Sequence, residues 1–401
     1  MKLNTHVARR LLLGVISSML VACGGSDGDS GATPASPAAG TLRVALTDTP
    51  ACGYDEVNVT VEKVRVHQSA SATDDGGGWS EVVLNPVKRV DLLKLTNGVL
   101  EELGATSLPA GNYTQVRLVL SSNSAATPMA NSVIPTGGVE TALATPSGQQ
   151  SGLKINTNVG VASNQQTDIV LDFHVCESVV SAGSGGYILK PVLSILPRAT
   201  ATSLAVEGFI VTALANGTTS VSLQQAGAVA RATVPDSTGK FLLSPVPAGT
   251  YDLVIRASGR ATAVVTGVPV TTSSKTLVNA STAPIDPPAS TFRTASGNVT
   301  TTNSTTIPSA TMRAMQAIGT PMIEVIARPV DAVTGAYSLS LPIAAPVKTA
   351  YAAGATTLAF TPDASVAAKY KLGAHVPTKT MQTVDVDLTS ADVITPFIFA
   401  P

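Results

Sequence analysis

The sequence predicts an all-β protein of tandem antiparallel β-sandwich domains, of the immunoglobulin or transthyretin type, behind a signal peptide and a flexible tether. Only 13% of the 401 residues are charged and 4% are aromatic. The apolar content comes mainly from Ala, Val and Leu interleaved with Thr and Ser, which is typical of short strands rather than of long helices with charged faces. A chain of this length has room for two or three separate cores.

Residues 1–22 have the pattern of a signal peptide. Three basic residues precede an apolar run over residues 11–22, which is too short to span a bilayer of about 30 Å. The run ends in LVAC, which resembles the lipobox of bacterial lipoproteins. This resemblance implies that Cys23 is lipidated and becomes the first residue of the mature chain. An ordinary secretory signal followed by an incidental cysteine is the alternative.

Residues 23–40 are rich in Ser, Gly, Ala and Pro and too poor in apolar side chains to fold, so they are predicted to form the tether. Gly24 follows the predicted lipid-bearing cysteine. Lipoproteins with Asp at that position tend to stay in the inner membrane, so the resemblance implies an outer-membrane lipoprotein that faces the periplasm or the cell surface. Several acyl chains would make the membrane its stable partner.

The charge balance excludes one class of partner. Removing residues 1–22, which hold Lys2, Arg9 and Arg10 and no acid, takes the formal net charge from -1 to -4. An acidic mature chain does not attract a phosphate backbone, so we expect no nucleic-acid partner.

The first predicted domain, residues 41–199, shows regular strand patterns. Valines alternate with polar residues over 57–61, which indicates one buried face. The apolar positions then move to Val64 and Val66, a change of parity that a β-bulge near Lys63 explains. Further strands are predicted at residues 42–46, 81–84, 90–95, 113–120, 167–173 and 187–196.

Four segments of this domain resemble a domain family of unknown function that is common in bacterial lipoproteins. They are residues 45–50 (ALTDTP), 54–61 (YDEVNVTV), 171–173 (LDF) and 187–192 (YILKPV). The resemblance covers about residues 40–198 and implies no established activity.

The second predicted domain, residues 204–283, contains PDSTGKF at 235–241 and VPAGTYDLV at 246–254. Asp with Gly three residues later favours a tight turn, and the Pro-Ala-Gly corner leads into a strand that contains Tyr. This pattern resembles the carboxypeptidase regulatory-like domain, a small transthyretin-like β-sandwich.

The third predicted domain, residues 290–401, is expected to be a divergent second copy. Its segment DAVTGAYSLSLP at 331–342 repeats the turn and the strand of the second domain. LPAGNY at 108–113 repeats the Pro-Ala-Gly corner in the first domain, so all three domains are predicted to be sandwich-like. Residues 284–288, rich in Pro, are predicted to be a hinge.

Two cysteines remain if Cys23 is lipidated. Cys52 and Cys176 both lie in the first domain of an exported protein, and an oxidising compartment favours a disulfide between them. Two separate buried thiols are the alternative.

One loop is a candidate ligand site. Asp74 and Asp75 precede three glycines and Trp79, the only tryptophan of the chain. The acids could contribute to a calcium site, which needs six or more oxygens, and the indole could stack on a sugar. The favoured interpretation is a hairpin loop whose Trp79 folds back onto the sandwich. Asp48, Asp55 and Asp172 could gather near one end of the same domain, although turn and strand-edge roles also explain them.

Two motifs that suggest catalysis are rejected. His174 and Glu177 have the His-x-x-Glu spacing of zinc carboxypeptidases, but in a strand these positions point to opposite faces, and a third ligand would have to come from His67 or His375. GGSDG at 24–28 matches a hydrolase nucleophile elbow but lies in the tether rather than on a strand-to-helix turn.

The sequence therefore predicts a non-enzymatic, lipid-anchored cell-envelope protein whose sandwiches bind a partner or act as a spacer. We expect no catalytic residues, no metal and no cofactor, with an envelope protein or a glycan as the further partner. A carbohydrate-binding lipoprotein is the first alternative, and a metal-dependent hydrolase is the second.

Overall fold

The computed structural model describes residues 38–48, 53–146, 148, 151–183, 185–198, 204–319, 321–377 and 379–401. Within these ranges the protein is all-β, with 29 strands, single 3-10 turns and one four-residue α-helix, α1 (Val175–Ser178). The strands form six sheets, which pack as three sandwiches around three separate apolar cores.

Sandwich 1 contains the first twelve strands. They are β1 (Ala39–Asp48), β2 (Tyr54–His67), β3 (Ser80–Asp91), β4 (Glu101–Pro109), β5 (Gly111–Leu120), β6 (Ser132–Pro135), β7 (Thr141–Ala144), β8 (Leu153–Val161), β9 (Gln166–Phe173), β10 (Val179–Ala182), β11 (Gly186–Leu189) and β12 (Leu193–Pro197). One sheet has the order β12-β9-β1-β4. The other has the order β10-β11-β7-β6-β2-β5-β8, with β3 also paired to β2.

The bulge predicted near Lys63 is confirmed. The pairing of β2 with both β3 and β5 shifts register between Val61 and Lys63. Val61, Val64 and Val66 are all buried, at 0%, 0% and 1% exposure. The extra residue therefore keeps the valines on both sides of the shift inside the same core.

Sandwich 2 begins with seven strands. They are β13 (Val206–Phe209), β14 (Ser220–Gln225), β15 (Ala228–Thr233), β16 (Lys240–Leu243), β17 (Gly249–Arg256), β18 (Ala263–Val270) and β19 (Thr276–Leu277). Its smaller sheet has the order β16-β13-β19, and β15-β14-β17-β18 form most of the larger one.

The last ten strands are divided between sandwiches 2 and 3. They are β20 (Phe292–Thr301), β21 (Thr311–Gln316), β22 (Ile323–Pro329), β23 (Ala336–Pro342), β24 (Val347–Ala350), β25 (Thr361–Pro362), β26 (Lys369–His375), β27 (Gln382–Asp387), β28 (Val393–Ile394) and β29 (Phe397–Phe399). Eight of them form sandwich 3, with sheets β23-β20-β28 (β29 also on β20) and β22-β21-β26-β27.

The remaining two strands, β24 and β25, extend the larger sheet of sandwich 2. β24 pairs in parallel with β18, and Val347 is part of the core of sandwich 2. The chain thus leaves sandwich 3, completes sandwich 2 and returns, which ties these two sandwiches together through backbone hydrogen bonds.

The hinge expected at residues 284–288 is wrong. Ile285 is 3% exposed, and its amide donates to the carbonyl of Phe209 at 2.9 Å. The amide of Ala261 donates to the carbonyl of Pro288 at 2.9 Å. These backbone bonds hold the proline-rich segment against sandwich 2. Ile285 still has an amide that donates, and a proline can still accept a hydrogen bond through its carbonyl group.

The corner repeats seen in the sequence have the same geometry in two sandwiches. The hydroxyl of Tyr113 donates to the carbonyl of Pro109, and that of Tyr251 to the carbonyl of Pro247, both at 2.9 Å. In sandwich 3 the corresponding Pro342 carbonyl accepts from Tyr370 instead, which comes much later in the chain.

The repeated Asp-to-Gly turns also match. Gly239 and Gly335 have φ of 83° and 67°, and a Cβ at either position would lie 2.1 or 2.3 Å from a backbone carbonyl oxygen of the neighbouring strand or its continuation. Glycine is therefore required at the same place in both turns, both for its positive φ and for the close approach of the neighbouring backbone.

Candidate functional site

The predicted ligand loop connects β2 and β3, and Trp79 folds back onto the sheet. The guanidinium carbons of Arg65 and Arg117 lie 4.5 and 4.8 Å from the centre of its ring system. The indole Nε1 donates to the carbonyl of Thr73 at 2.9 Å. Such cation–π contacts stabilise a structure by about 0.5–2 kcal/mol each, so the indole fastens the loop to the sheet.

The two acids of this loop have different surroundings. Oδ1 of Asp74 accepts from Nη1 of Arg117 at 2.6 Å, and this hydrogen bond holds the pKa of Asp74 below its ordinary value. Asp75 is exposed. The structure thus brings Asp74 and Trp79 together around Arg117, which is the partner the sequence analysis did not identify.

A second cluster lies between sandwiches 1 and 2, where β15 presents Arg231 to the ends of β1 and β9. The Arg231 side chain is 2% exposed, and its Nη1 lies 2.5 Å from Oδ1 of Asp172, which is fully buried. Its Nη2 donates to the hydroxyl of Thr47 at 2.9 Å. That hydroxyl donates in turn to the carbonyl of Leu95 at 3.0 Å. We call Thr47, Asp172 and Arg231 the arginine socket.

Strand register explains why the socket forms. Thr47 and Asp172 are partners in the parallel pairing of β1 with β9, so their side chains lie side by side. They belong to the ALTDTP and LDF segments on which the family resemblance depends. A buried carboxylate needs a partner of opposite charge, and here that partner comes from the next sandwich.

The other acids considered with Asp172 have separate roles. Oδ1 of Asp48 accepts from the amide of Val175 at the start of α1, at 3.2 Å. Oδ2 of Asp55 accepts from the amide of Gly137 in the turn between β6 and β7, also at 3.2 Å. Asp48 is the last residue of β1 and Asp172 the last but one of the neighbouring β9, whereas Asp55 stabilises a different turn.

Polar contacts join every pair of sandwiches. Sandwiches 1 and 2 share hydrogen bonds from the Asn97 amide to Thr233 Oγ1 and from the Leu242 amide to Asn97 Oδ1, at 2.6 and 2.5 Å. Sandwiches 2 and 3 share a pair of bonds between the Gln224 amide group and the backbone of Glu324, at 2.7 and 2.9 Å. The described residues from 38 onwards belong to one compact unit.

Sandwiches 1 and 3 meet at Asp331. Oδ1 of this carboxylate holds its own turn by accepting from Val333 and Thr334, while Oδ2 accepts from the hydroxyl of Ser181 at 3.0 Å and the amide of Gly183 at 2.9 Å. Partial burial raises the pKa of Asp331, but the backbone hydrogen bonds outweigh it and hold this pKa well below its usual range.

The repeat provides a matched test of this contact. Asp236 makes the same turn in sandwich 2 through its Oδ1. We expect Asp236→Ala to lower the free energy of unfolding by about 1 kcal/mol, and Asp331→Ala by about 2–3 kcal/mol, because the second variant also loses two inter-sandwich hydrogen bonds. Urea unfolding of both variants measures the difference. Equal losses would show that the contact with Ser181 and Gly183 contributes nothing.

The junction also contains a carboxyl group with a shifted pKa. Burial raises the pKa of Glu324 to about 7, and repulsion from Glu177 adds to the shift, although Arg313 opposes it from 2.7 Å. Since the folded-state pKa lies above the unfolded value of 4.5, folding favours the protonated acid. The stability that the protonated Glu324 contributes to the folded state is fully present below about pH 4.5 and is lost as pH rises through about 7.

We therefore predict that Glu324→Gln removes part of the pH dependence of stability. From pH 5 to pH 8 the wild type should lose on the order of 2 kcal/mol relative to this variant, because only the wild type must ionise a buried acid. Urea unfolding at both pH values gives the comparison. Parallel pH profiles for the two proteins would contradict the shifted pKa.

The rejected zinc motif does not lie in a strand, as the sequence analysis assumed, but begins at the cap of α1. His174 precedes this helix, and its Nε2 lies 3.7 Å from Oδ2 of Asp172, while Glu177 lies 3.8 Å from Arg313. No group of three or more His, Cys, Asp or Glu side chains that could hold a metal occurs among the described residues. The segment 24–28 lies outside them.

The three cysteines are only partly covered by the structure. Cys23 and Cys52 lie outside the described residues, and Cys176 is in α1. The pairing of Cys52 with Cys176 therefore stays a prediction, as does lipidation of Cys23.

Sequence reasoning missed the arginines of the junctions, namely Arg231, Arg256, Arg313 and Arg328. All four lie in strands, and the chain is unusually poor in charge. An arginine within a strand of alternating apolar residues could have indicated these junctions, because a buried guanidinium requires hydrogen-bond acceptors nearby.

The fold and these junctions define an all-β protein of three interlocked sandwiches. A domain-family model described as "Domain of unknown function (DUF4382)" matches residues 39–191. The predicted resemblance of the first domain to a family of unknown function is thereby confirmed. No curated protein matches the chain.

Solved structures give distant similarity only. A type II Cohesin-X-Dockerin complex from Acetivibrio cellulolyticus is 26% identical over 20% of this chain and 55% of that one, with a TM-score of 0.17. The Bacillus anthracis TIE protein is 11% identical, with 90% and 50% covered and a TM-score of 0.17. A streptococcal ancillary pilin is 8% identical, with 90% and 99% covered and a TM-score of 0.18. Scores this low support no inference about function.

None of the helices in the described part of the chain has the length and apolar character needed to cross a bilayer.

Proposed function

We propose that this is a lipid-anchored, non-enzymatic protein of the cell envelope, placed in the outer membrane, whose three sandwiches act as one rigid binding platform. The arginine socket is the observation that supports the rigid platform. The lipobox-like LVAC segment and the tether after it support the anchor.

A platform accounts for the junctions better than a spacer does. A spacer needs only sandwiches joined in series, and neighbours could then turn about exposed linkers. In this protein a fully buried ion pair joins sandwiches 1 and 2, and strand β24 of the later chain completes sandwich 2. Residues from all three sandwiches also line a single cavity. Such an arrangement holds surfaces from different sandwiches in constant positions.

The carbohydrate-binding alternative gains no support from the ligand loop. Trp79 is the only tryptophan, and its ring is in contact with Arg65, Arg117 and His67, whose ring centre is 5.0 Å away. A sugar would have to compete with these contacts for the indole.

The anchor is tested on the mature amino terminus. Mass spectrometry should find acyl chains on Cys23, and Cys23→Ser should move the protein from the membrane fraction to the soluble fraction. An unmodified amino terminus, or unchanged fractionation of the variant, would refute the anchor.

The platform is tested by calorimetry of the full mature chain. Because the sandwiches share buried contacts, they should unfold in one cooperative transition. Three separate transitions in the wild type would show that the sandwiches are independent, and the platform would then be wrong whatever the anchor experiment shows.

The proposed disulfide has its own measurement. If Cys23 is lipidated and Cys52 is bonded to Cys176, the denatured protein has no free thiol, and reduction exposes two. The long loop that the bond would close corresponds to a stabilisation of roughly 4–5 kcal/mol in the chain-entropy model. Equal thiol counts before and after reduction would contradict the disulfide.

A further inference from the structure

A cavity of about 100 Å³ lies where the three sandwiches meet. Sandwich 1 contributes His174, Cys176 and Glu177, sandwich 2 contributes Arg256 and several hydroxyl and amide side chains, and sandwich 3 contributes residues 324–328. A single water molecule needs a cavity volume of roughly 10–15 Å³, so this cavity has room for a small ligand.

Two of its lining side chains, Arg256 and Arg328, form no ion pair within the described part of the chain. Among the described residues, no carboxylate oxygen lies within 4.0 Å of Arg256 or Arg328. The Nε of Arg256 is buried and has no hydrogen-bond partner in the described part of the chain. Nη2 of Arg256 donates to the carbonyl of Ser340 at 3.4 Å, and Nη1 of Arg328 donates to the carbonyl of Ala327 at 3.0 Å.

This arrangement is costly without a further acceptor. Arg256 and Arg328 are half-buried. A guanidinium carries five N–H donors, and a positive charge partly withdrawn from water favours acceptors and a compensating charge. Burial lowers the pKa of Arg256, and burial together with repulsion from Arg256 lowers the pKa of Arg328 to about 10, although Tyr54 and Glu177 oppose the shift of Arg328. The two acids of the cavity lie closer to another arginine, since Glu324 is paired with Arg313 at 2.7 Å and Glu177 lies 3.8 Å from it, although Glu177 also attracts Arg328 electrostatically.

We propose that this cavity binds a small oxyanion, a phosphate or carboxylate group, held between Arg256 and Arg328. Planar guanidinium groups match the oxygens of both anions and can donate two parallel hydrogen bonds to each. Ser220, Ser222 and Thr218 line the same cavity and offer hydroxyl donors. Bound at this point, the anion would add a contact that joins sandwiches 2 and 3.

The proposal rests on the rigid junction of the proposed platform, but not on the lipid anchor. Calorimetric unfolding reports on the junction, whereas binding of an anion reports on the cavity, so the two can fail separately.

Isothermal titration of the full mature protein in detergent with inorganic phosphate, and separately with acetate, tests the site. Chloride at matched ionic strength corrects for screening. We expect saturable binding of at least one oxyanion, weakened about tenfold or more in Arg256→Gln and in Arg328→Gln, because each variant loses a charged donor. The stronger of the two anions identifies the ligand class.

Arg293→Gln is the matched control, since Arg293 also lies in a strand and donates to a carbonyl, that of Leu388, but does not line the cavity. It should bind like the wild type. Circular dichroism identifies any variant that fails to fold, and the wild-type titration alone remains decisive in that case. Wild-type heats no larger than those of chloride would overturn the proposal, and so would equal affinities in the wild type and a folded Arg328→Gln protein.

Discussion

Arg231→Ala is expected to lower the free energy of unfolding by about 3–5 kcal/mol, the typical loss when one partner of a buried ion pair is removed. The variant leaves Asp172 fully buried with no guanidinium beside it and leaves the hydroxyl of Thr47 without its donor. Calorimetry should also show sandwiches 1 and 2 separating into two transitions, because the socket joins their cores.

Two controls separate the buried charge from loss of an arginine in general. Arg260→Ala breaks an ion pair with Asp286 at 3.0 Å whose side chains are 26% and 52% exposed, and exposed pairs contribute about 0–1 kcal/mol. Adding Asp172→Ala to Arg231→Ala should recover part of the stability, since no unpaired charge then remains. If Arg231→Ala cost no more than Arg260→Ala, the socket would not hold the sandwiches together.

Gly239→Ala is expected to cost about 3 kcal/mol or more. Its φ of 83° costs an L-residue roughly 1–2 kcal/mol. The new Cβ would also lie 2.1 Å from the carbonyl oxygen of Ile210. Backbone cannot swing away like a side chain, so β13 must shift from the turn, which adds an overpacking cost of about 1–3 kcal/mol.

Two other glycines of sandwich 2 divide this effect into its parts. Gly267 has φ of 72° and open space around its Cβ position, so Gly267→Ala should cost only the conformational part, about 1–2 kcal/mol. Gly217 has open space and no positive φ, so Gly217→Ala should change stability by no more than about 0.5 kcal/mol. Urea unfolding of the three variants gives the series, and a Gly239→Ala loss no larger than that of Gly267→Ala would contradict the close approach.

The predictions from local pattern held where neighbouring residues set the geometry. Alternating valines and their change of parity located the bulge near Lys63, because the period of two leaves no other way to keep both sets buried. The strand predicted at residues 187–196 was wrong in extent. It is divided into β11 and β12 around Pro191, which cannot donate to a ladder.

The candidate site was predicted less well than the strands. The loop with Asp74 and Trp79 was identified from composition, but its partner Arg117 lies on β5, far away in sequence. No local signal connects Arg231 with Asp172 either, since the two come from different sandwiches. Side-chain pairing over such separations depends on how whole sheets dock.

The order of residues along the chain was enough to indicate an all-β protein, its repeated turns and its corner tyrosines, since each of these depends on φ, on the strand period or on a bond spanning a few residues. Packing of the sandwiches settled which strands belong together, as with β24 joining sandwich 2, and which charges are buried. Burial is a property of surfaces that meet from distant parts of the chain, so it creates both the arginine socket and the cavity between Arg256 and Arg328.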